Sequence, residues 1–499
     1  MGRKGKSSRA ALDKLDQKLD ELNSNRNVLL SRLHEVDRNI AHTRSKQAEL
    51  SAISNSKPPV SILPTEILVE ILETCYLVLP DKSKCYFPAY VSLVSRAWRD
   101  AVQGTPSLWR TIRASPMRLN RLAHYVERCG SQPLEITFNT RLSYGELRVA
   151  TALSMLKTKA RNWRRIEFRL DSQALMLLMP LLSGLSAPRL KTLCFFPLDD
   201  NDTGRSIGLN LNMDVPRLSN VHLCQSPIDW HSNVFCELTT LRIEGCWTGS
   251  TPPFTMQNLH RALRDCSSRL RELALELPIL SMHAGPVRVD VIELPKLQSL
   301  ELSYCPSRYK PTDLHAVFYT LSAPALQVLS LAHLVPRAWV TFLRSLLLEP
   351  PRYSTVAKLK LDSIPIYGNA TGYAEMDNNP EGVGDKFIGA FPALQYLECS
   401  GDTDAACILR TLIDHLRVGQ CPWPDLGTLA VNRCDLPVLL TFIRMRAEHK
   451  RPLNVVRLPQ HARELSTAPV DAIEEYVKVE YYEPHAEGPQ MYDFLDDVD

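Results

Sequence analysis

The sequence is short of the features that mark several large protein classes. It has no run of eighteen apolar residues, so no transmembrane helix is expected. The basic start MGRKGKSSRAALDKL is followed by no apolar stretch, so no secretory signal is read there. Net charge is only +3, from 58 Lys and Arg against 55 Asp and Glu, which speaks against a whole-protein grip on nucleic acid. No C-x-x-C pair occurs among the 13 cysteines, so no structural metal site is expected. They read as reduced, mostly core thiols of an intracellular chain, cytoplasmic or nuclear. There is no H-E-x-x-H, no G-x-S-x-G and no Walker loop, so neither catalysis nor a cofactor is expected.

What is present begins with a heptad repeat over 12–50. Its seam is Leu12, Leu15, Leu19, Leu22, Arg26, Leu29, Leu33, Val36, Ile40, Thr43, Gln47 and Leu50. A seven-residue apolar period held this long predicts a coiled-coil helix, assigned to 12–53, after a disordered basic start at 1–11. A second copy of the chain is one candidate partner for the seam. A solvated helix lying against its own chain is the other reading. Pro58-Pro59 then marks a linker.

Residues 60–113 predict a compact all-helical module of three parts. Pro64 opens a helix carrying Ile67, Leu68, Ile71 and Leu72, and a second helix is expected over about 90–102. Three submotifs stand in order: Leu63-Pro64 with Glu66-Ile67-Leu68, then Val94-Ser95-x-x-Trp98-Arg99, then Leu108-Trp109-Arg110. This segment resembles an F-box domain, and with the preceding heptads it is similar to the large F-box families of mushroom-forming fungi. The resemblance implies docking on the Skp-type adaptor of an SCF ubiquitin ligase, and through it on the cullin core. The residues matching the family's adaptor contacts are Leu63, Pro64, Ile67, Leu68, Ile71, Val94, Trp98 and Trp109. The stretch between the helices, 79–87, is longer than in compact F-boxes.

From 130 to 460 one phrase recurs: apolar, two residues, apolar, one residue, apolar. Examples are Leu218-x-x-Val221-x-Leu223, Leu297-x-x-Leu300-x-Leu302 and Leu426-x-x-Leu429-x-Val431. Starts from Trp163 to Leu426 average about 29 residues apart, within the leucine-rich-repeat range. Pro188, Pro216, Pro295, Pro324, Pro392 and Pro424 each stand two residues before the first leucine. Helical patterns fill many intervals, at 146–159, 257–266, 314–321, 338–348, 405–416 and 436–447. The expected class is α/β: a leucine-rich-repeat solenoid preceded by a small all-α F-box and an N-terminal coiled-coil helix. It resembles the degenerate repeats common in F-box proteins. A doubly wound α/β sheet is the runner-up.

Alternation places the residues between the buried ones on the open sheet face. The candidate protein-binding residues are Arg165, Glu167, Arg169, Arg242, Glu244, Glu272, Glu276, Glu301, Lys358, Lys360 and Asp362. Surface insertions are expected at 199–214 and 365–386, and a disordered acidic tail over 479–499. These readings predict a substrate-recognition subunit acting in ubiquitin-dependent protein degradation, bound to an unknown protein substrate, with no nucleic acid and no membrane. The alternative is a coiled-coil repeat scaffold that acts without ubiquitination.

Overall fold

The computed structural model describes residues 4–54, 63–141, 144–198, 212–224, 235–244, 256–276, 291–304, 317, 320–346, 353–364, 386–465 and 467–483. The chain divides into two compact units, Met1–Thr105 and Pro106–Asp499.

The first unit opens with helix α1 (Lys4–Ser54). It starts inside the span assigned to disorder at 1–11. No Pro or Gly interrupts 12–50, so nothing breaks the backbone hydrogen-bond ladder. All of 12–51 is exposed, the seam included.

Helix α2 (Thr65–Val78) follows Pro64, whose fixed φ and missing N–H suit a helix start. Its residues Leu68, Leu72 and Tyr76, spaced by four, form one buried face. Tyr76 meets Phe87 with ring centroids 6.1 Å apart. The single helix predicted over 90–102 is two: α4 (Phe87–Val91) and α5 (Arg96–Gln103). Ser95 divides them, since its side chain accepts a hydrogen bond from the Trp98 amide and caps α5. Arg99 Nε donates to the Ser92 carbonyl at 3.1 Å, bracing the break. The stretch 79–87 carries a short helix of its own, α3 (Asp81–Lys84).

The boundary at Thr105 falls inside the module predicted for 60–113. Leu108 and Trp109 belong to the second unit, where both are buried. Trp109 packs edge-on against Tyr125 of helix α6 (Leu119–Arg128), at 4.8 Å between centroids.

The second unit is built on a 14-stranded parallel sheet. Its strands are β1 (Thr111–Ala114), β2 (Leu134–Thr140), β3 (Trp163–Leu170), β4 (Thr192–Pro197), β5 (Asn220–Cys224), β6 (Thr240–Glu244) and β7 (Glu272–Glu276), then β9 (Ser299–Ser303), β11 (Val328–Ala332), β12 (Lys358–Asp362), β13 (Tyr396–Asp404), β14 (Thr428–Arg433), β15 (Val455–Pro459) and β16 (Lys478–Tyr482). The pair β8 (Ile292–Glu293) and β10 (Leu321–Ser322) forms a separate small sheet. Every strand of the large sheet neighbours the ones before and after it in sequence. A doubly wound sheet would reverse strand order at a switch point, so the runner-up fold is ruled out. The sheet also runs past the predicted 130–460 at both ends. Residues 479–482 are strand rather than tail, and the tail from 484 lies outside the described residues.

The recurring phrase sets the register. Leu193, Val221, Leu241, Leu273, Leu300, Leu329, Leu359, Leu397 and Leu429 align across consecutive strands. All are buried. Burying each such side chain contributes about 1.5–3 kcal/mol, and a one-residue slip would turn the row to solvent.

The repeated proline has a specific cause. The amides of Leu190, Leu218, Leu297, Leu326, Leu394 and Leu426 donate to the carbonyls of Ala187, Val215, Leu294, Ala323, Phe391 and Trp423. Each proline is thus the second residue of a β-turn, where its fixed φ is preorganised.

Helices return the chain between strands, among them Glu146–Lys157, Met256–Cys266, Pro336–Ser345, Ala405–Arg417 and Leu436–Glu448, close to five predicted spans. Most of 314–321 and of the two predicted insertions lies outside the described residues. Ser172–Leu182 is a further helix, one that the spacing did not predict. Cys85, Cys129, Cys194, Cys266 and Cys399 are buried, and the described cysteines are all free thiols.

Candidate functional site

The first unit leaves apolar side chains in water. Ile67, Ile71, Val78, Leu93 and Val94 are exposed, and Leu63 and Pro64 stand exposed just before α2. Ile67 and Ile71 are four apart within α2, so they share one face of the helix, beside the face that buries Leu68, Leu72 and Tyr76. Trp98 is half-buried. Two residues grouped with these by motif have a different place. Leu68 is 5% exposed in the module's own core, and Trp109 is 2% exposed in the second unit. Neither presents its side chain to a docking partner, because both sit in packing that holds their own unit together.

The second unit presents charge instead. On β3, Glu167 lies between Arg165 and Arg169, with oxygens 3.4 and 2.6 Å from their guanidinium nitrogens. The two arginines cover it, so Glu167 is buried although it belongs to the open face. Arg169 stacks over the Phe196 ring at 5.6 Å, and Phe196 meets His222 edge-on at 4.8 Å. His222 Nε2 lies 2.9 Å from Glu244 Oε2. Glu244 also pairs with Arg242, whose other side reaches Glu301 at 3.4 Å. Burial alone would raise the Glu244 carboxyl, but His222 and Arg242 beside it pull it down to about 2. The neighbouring Glu276 goes the other way, to about 7, through burial and then the Glu244 charge, with Arg242 only partly offsetting them. Glu272 stands apart and accepts from Thr240 Oγ1.

A second charged group occupies β12 to β16. Lys358 Nζ sits 4.4 Å from the centre of the Tyr396 ring. The Tyr396 hydroxyl donates to Glu398 at 2.9 Å, and Lys360 lies 3.7 Å from the same carboxylate. Glu480 bridges Arg457 and Lys478. Asp362 ends β12 beside Gly401 of the neighbouring strand β13, where φ is +59 and a Cβ would collide with Asp362 Oδ1. Strand β11 separates the two groups, because its outward residues Val328, Ser330 and Ala332 carry no charge.

Apart from Glu272 and Asp362, the predicted set therefore divides into two clusters, and the structure adds Phe196, His222, Tyr396, Glu398, Arg457 and Glu480. A signal for some of these exists in the sequence. His222, Arg242, Glu301, Lys360, Glu398 and Arg457 occupy one register row. Aligning the repeats on their buried leucines picks out that row. Among the described residues no three His, Cys, Asp or Glu side chains converge as metal ligands would, and no described helix is long and apolar enough to cross a membrane.

No curated protein matches the chain. A family model does match part of it: residues 60–115 fit the F-box-like model, about a tenth of the sequence, and these residues hold the exposed apolar stripe. The chain carries an F-box-like domain.

Proposed function

We propose that this protein is the substrate-recognition subunit of an SCF-type ubiquitin ligase. The F-box-like domain docks on a Skp-type adaptor through Leu63, Pro64, Ile67, Ile71 and Val94. The observation that carries this is the stripe itself: a module of some fifty residues holds Leu68, Leu72 and Tyr76 inside yet leaves neighbouring Ile67 and Ile71 in solvent. An apolar face of this kind marks an interaction site. The sheet unit is read as a degenerate leucine-rich-repeat solenoid whose open face binds a protein substrate. Its two clusters of opposite and partly compensated charge favour a partner of mixed charge over a purely basic or acidic one. The chain itself performs no chemistry. It holds a substrate lysine near a thioester charged by other subunits, acting through proximity. Its place of action is the cytoplasm or the nucleus.

The test is co-purification of the full chain with the adaptor, wild type against Ile67→Asp/Ile71→Asp. Stoichiometric binding by wild type and a loss of at least about 100-fold in the variant are expected, since central apolar anchors are worth about 2 kcal/mol or more each. Both side chains are exposed in the free chain, so the thermal transition should not move. Absence of a complex with wild type would reject the receptor reading.

A further inference from the structure

The seam of α1 is unpartnered along its whole described length, with Leu12 to Leu50 between 44 and 67% exposed at its apolar positions. We propose that this face is an interface with a second copy of the chain, forming a parallel, in-register, two-stranded coiled coil. The inference stands apart from adaptor docking.

The period is a strict alternation of three and four, which winds helices into a left-handed pair. Orientation follows from matching like with like. In parallel register every seam residue meets its own copy. Nine layers are then apolar against apolar, and only Arg26, Thr43 and Gln47 form polar layers. Antiparallel pairing about the seam's midpoint would oppose Leu15 to Gln47, Leu19 to Thr43 and Val36 to Arg26, spoiling six layers.

Flanking charge agrees. Arg32 precedes a core position, and in the parallel pair it faces the partner's Asp37, five residues on, once on each side of the seam. Antiparallel pairing would gain Asp16 against the partner's Arg44 but would set Arg32 against the partner's Arg32 and Lys18 against the partner's Lys46. Arg26 limits the pair to two strands. Its long side chain can reach water from the edge of a two-helix seam, but a third or fourth helix would enclose the charge. Within its own helix the residues one turn away are Leu22, Asn23, Leu29 and Leu30, so no carboxylate neutralises it there. In the parallel pair both α1 helices end on the same side of the coil.

The test uses the full chain, as an equal mixture of unlabelled and 15N-labelled protein. Sedimentation at micromolar concentration should give a dimer. A short amine crosslinker should give mixed-isotope Lys18–Lys18 and Lys46–Lys46 links. Lys18 and Lys46 of one helix are about 42 Å apart, beyond such a reagent. A Lys18–Lys46 link would therefore come from an antiparallel pair and overturn the orientation. Leu29→Glu should give a monomer with unchanged helical signal, because Leu29 is exposed in the single chain. Arg32→Asp should weaken the dimer several-fold, and adding Asp37→Arg should restore it. In an antiparallel pair position 32 faces its own copy, so Arg32→Asp would exchange one like-charge contact for another and Asp37→Arg would bring no rescue, which would overturn the orientation. Wild-type protein that sediments as a monomer would overturn the proposal.

Discussion

The two units of the chain handle burial in opposite ways. The F-box-like unit keeps apolar side chains in solvent: Ile67, Ile71 and Val94 are all exposed. The sheet unit takes charged groups out of solvent and pairs or hydrogen-bonds them in place. Glu167 is closed in by two arginines. Arg446 is 1% exposed, with Nη1 donating to the Pro422 and Trp423 carbonyls, Nη2 to Pro424 and Leu426, and Nε to Arg451. The difference separates two purposes. An exposed apolar face gains free energy only when a partner covers it. A buried, saturated guanidinium has no capacity left for a partner and serves to hold its own unit, here the turn before β14 against the helix Leu436–Glu448.

Substitutions can break this contrast, and the largest effect is expected at Arg446. Replacing it by Leu strands several buried carbonyls at once, with a cost of about 4 kcal/mol to the sheet unit. Chemical denaturation should show the transition attributable to the sheet falling, while adaptor binding below that transition is kept. Full retention of stability would mean that the carbonyls find water and that the guanidinium is dispensable.

A neighbouring pair in α2 gives the next effect. Leu72→Ala should destabilise the F-box-like unit by about 3 kcal/mol through the cavity it leaves. Ile71→Ala, one residue away and exposed, should change stability by less than about 0.5 kcal/mol and lower adaptor affinity instead. Equal stability losses would show that the two faces are not distinct.

The smallest effect is pH-dependent and lies in the first charged cluster. Glu276 holds its proton in the folded chain up to about 7, against 4.5 for the ordinary carboxyl. Its stabilising contribution is therefore complete below about 4.5 and is lost as pH rises through 7. Glu244, pulled down to about 2, has the opposite sign: its contribution is present above 4.5 and is lost only as pH falls toward 2. Thermal unfolding between pH 5 and 8 should therefore show Glu276→Gln gaining on wild type as pH rises. Glu244→Gln should lie below wild type and, because it removes a charge that helps hold Glu276 up, should decline less than wild type as pH rises. A pH-independent difference for Glu276→Gln would refute the shifted carboxyl.

Much of this was legible in order along the chain. The heptads predict α1, Leu63-Pro64 predicts the start of α2, and the leucine phrase predicts the strands. Each is a local signal, written by the period of one element. What was missed is of a different kind. Leu68 and Ile67 are adjacent and similar in type, and only the packing of α2 against its neighbours decides which one is buried. The break at Ser95 depends on one side chain capping a backbone amide. Trp109 reads as the close of the F-box-like motif, yet it packs against Tyr125. His222, Phe196 and Tyr396 join the charged clusters from strands some twenty to forty residues away from their partners.

The sequence by itself determined most of the elements, their order and the row of side chains that the repeated strands turn inward, because periodicity dictates which face a residue occupies. Only the tertiary structure decided which charges meet and which apolar residues stay in water. Those outcomes depend on distances between residues far apart in sequence, and electrostatic and packing energies are set by those distances rather than by spacing along the chain.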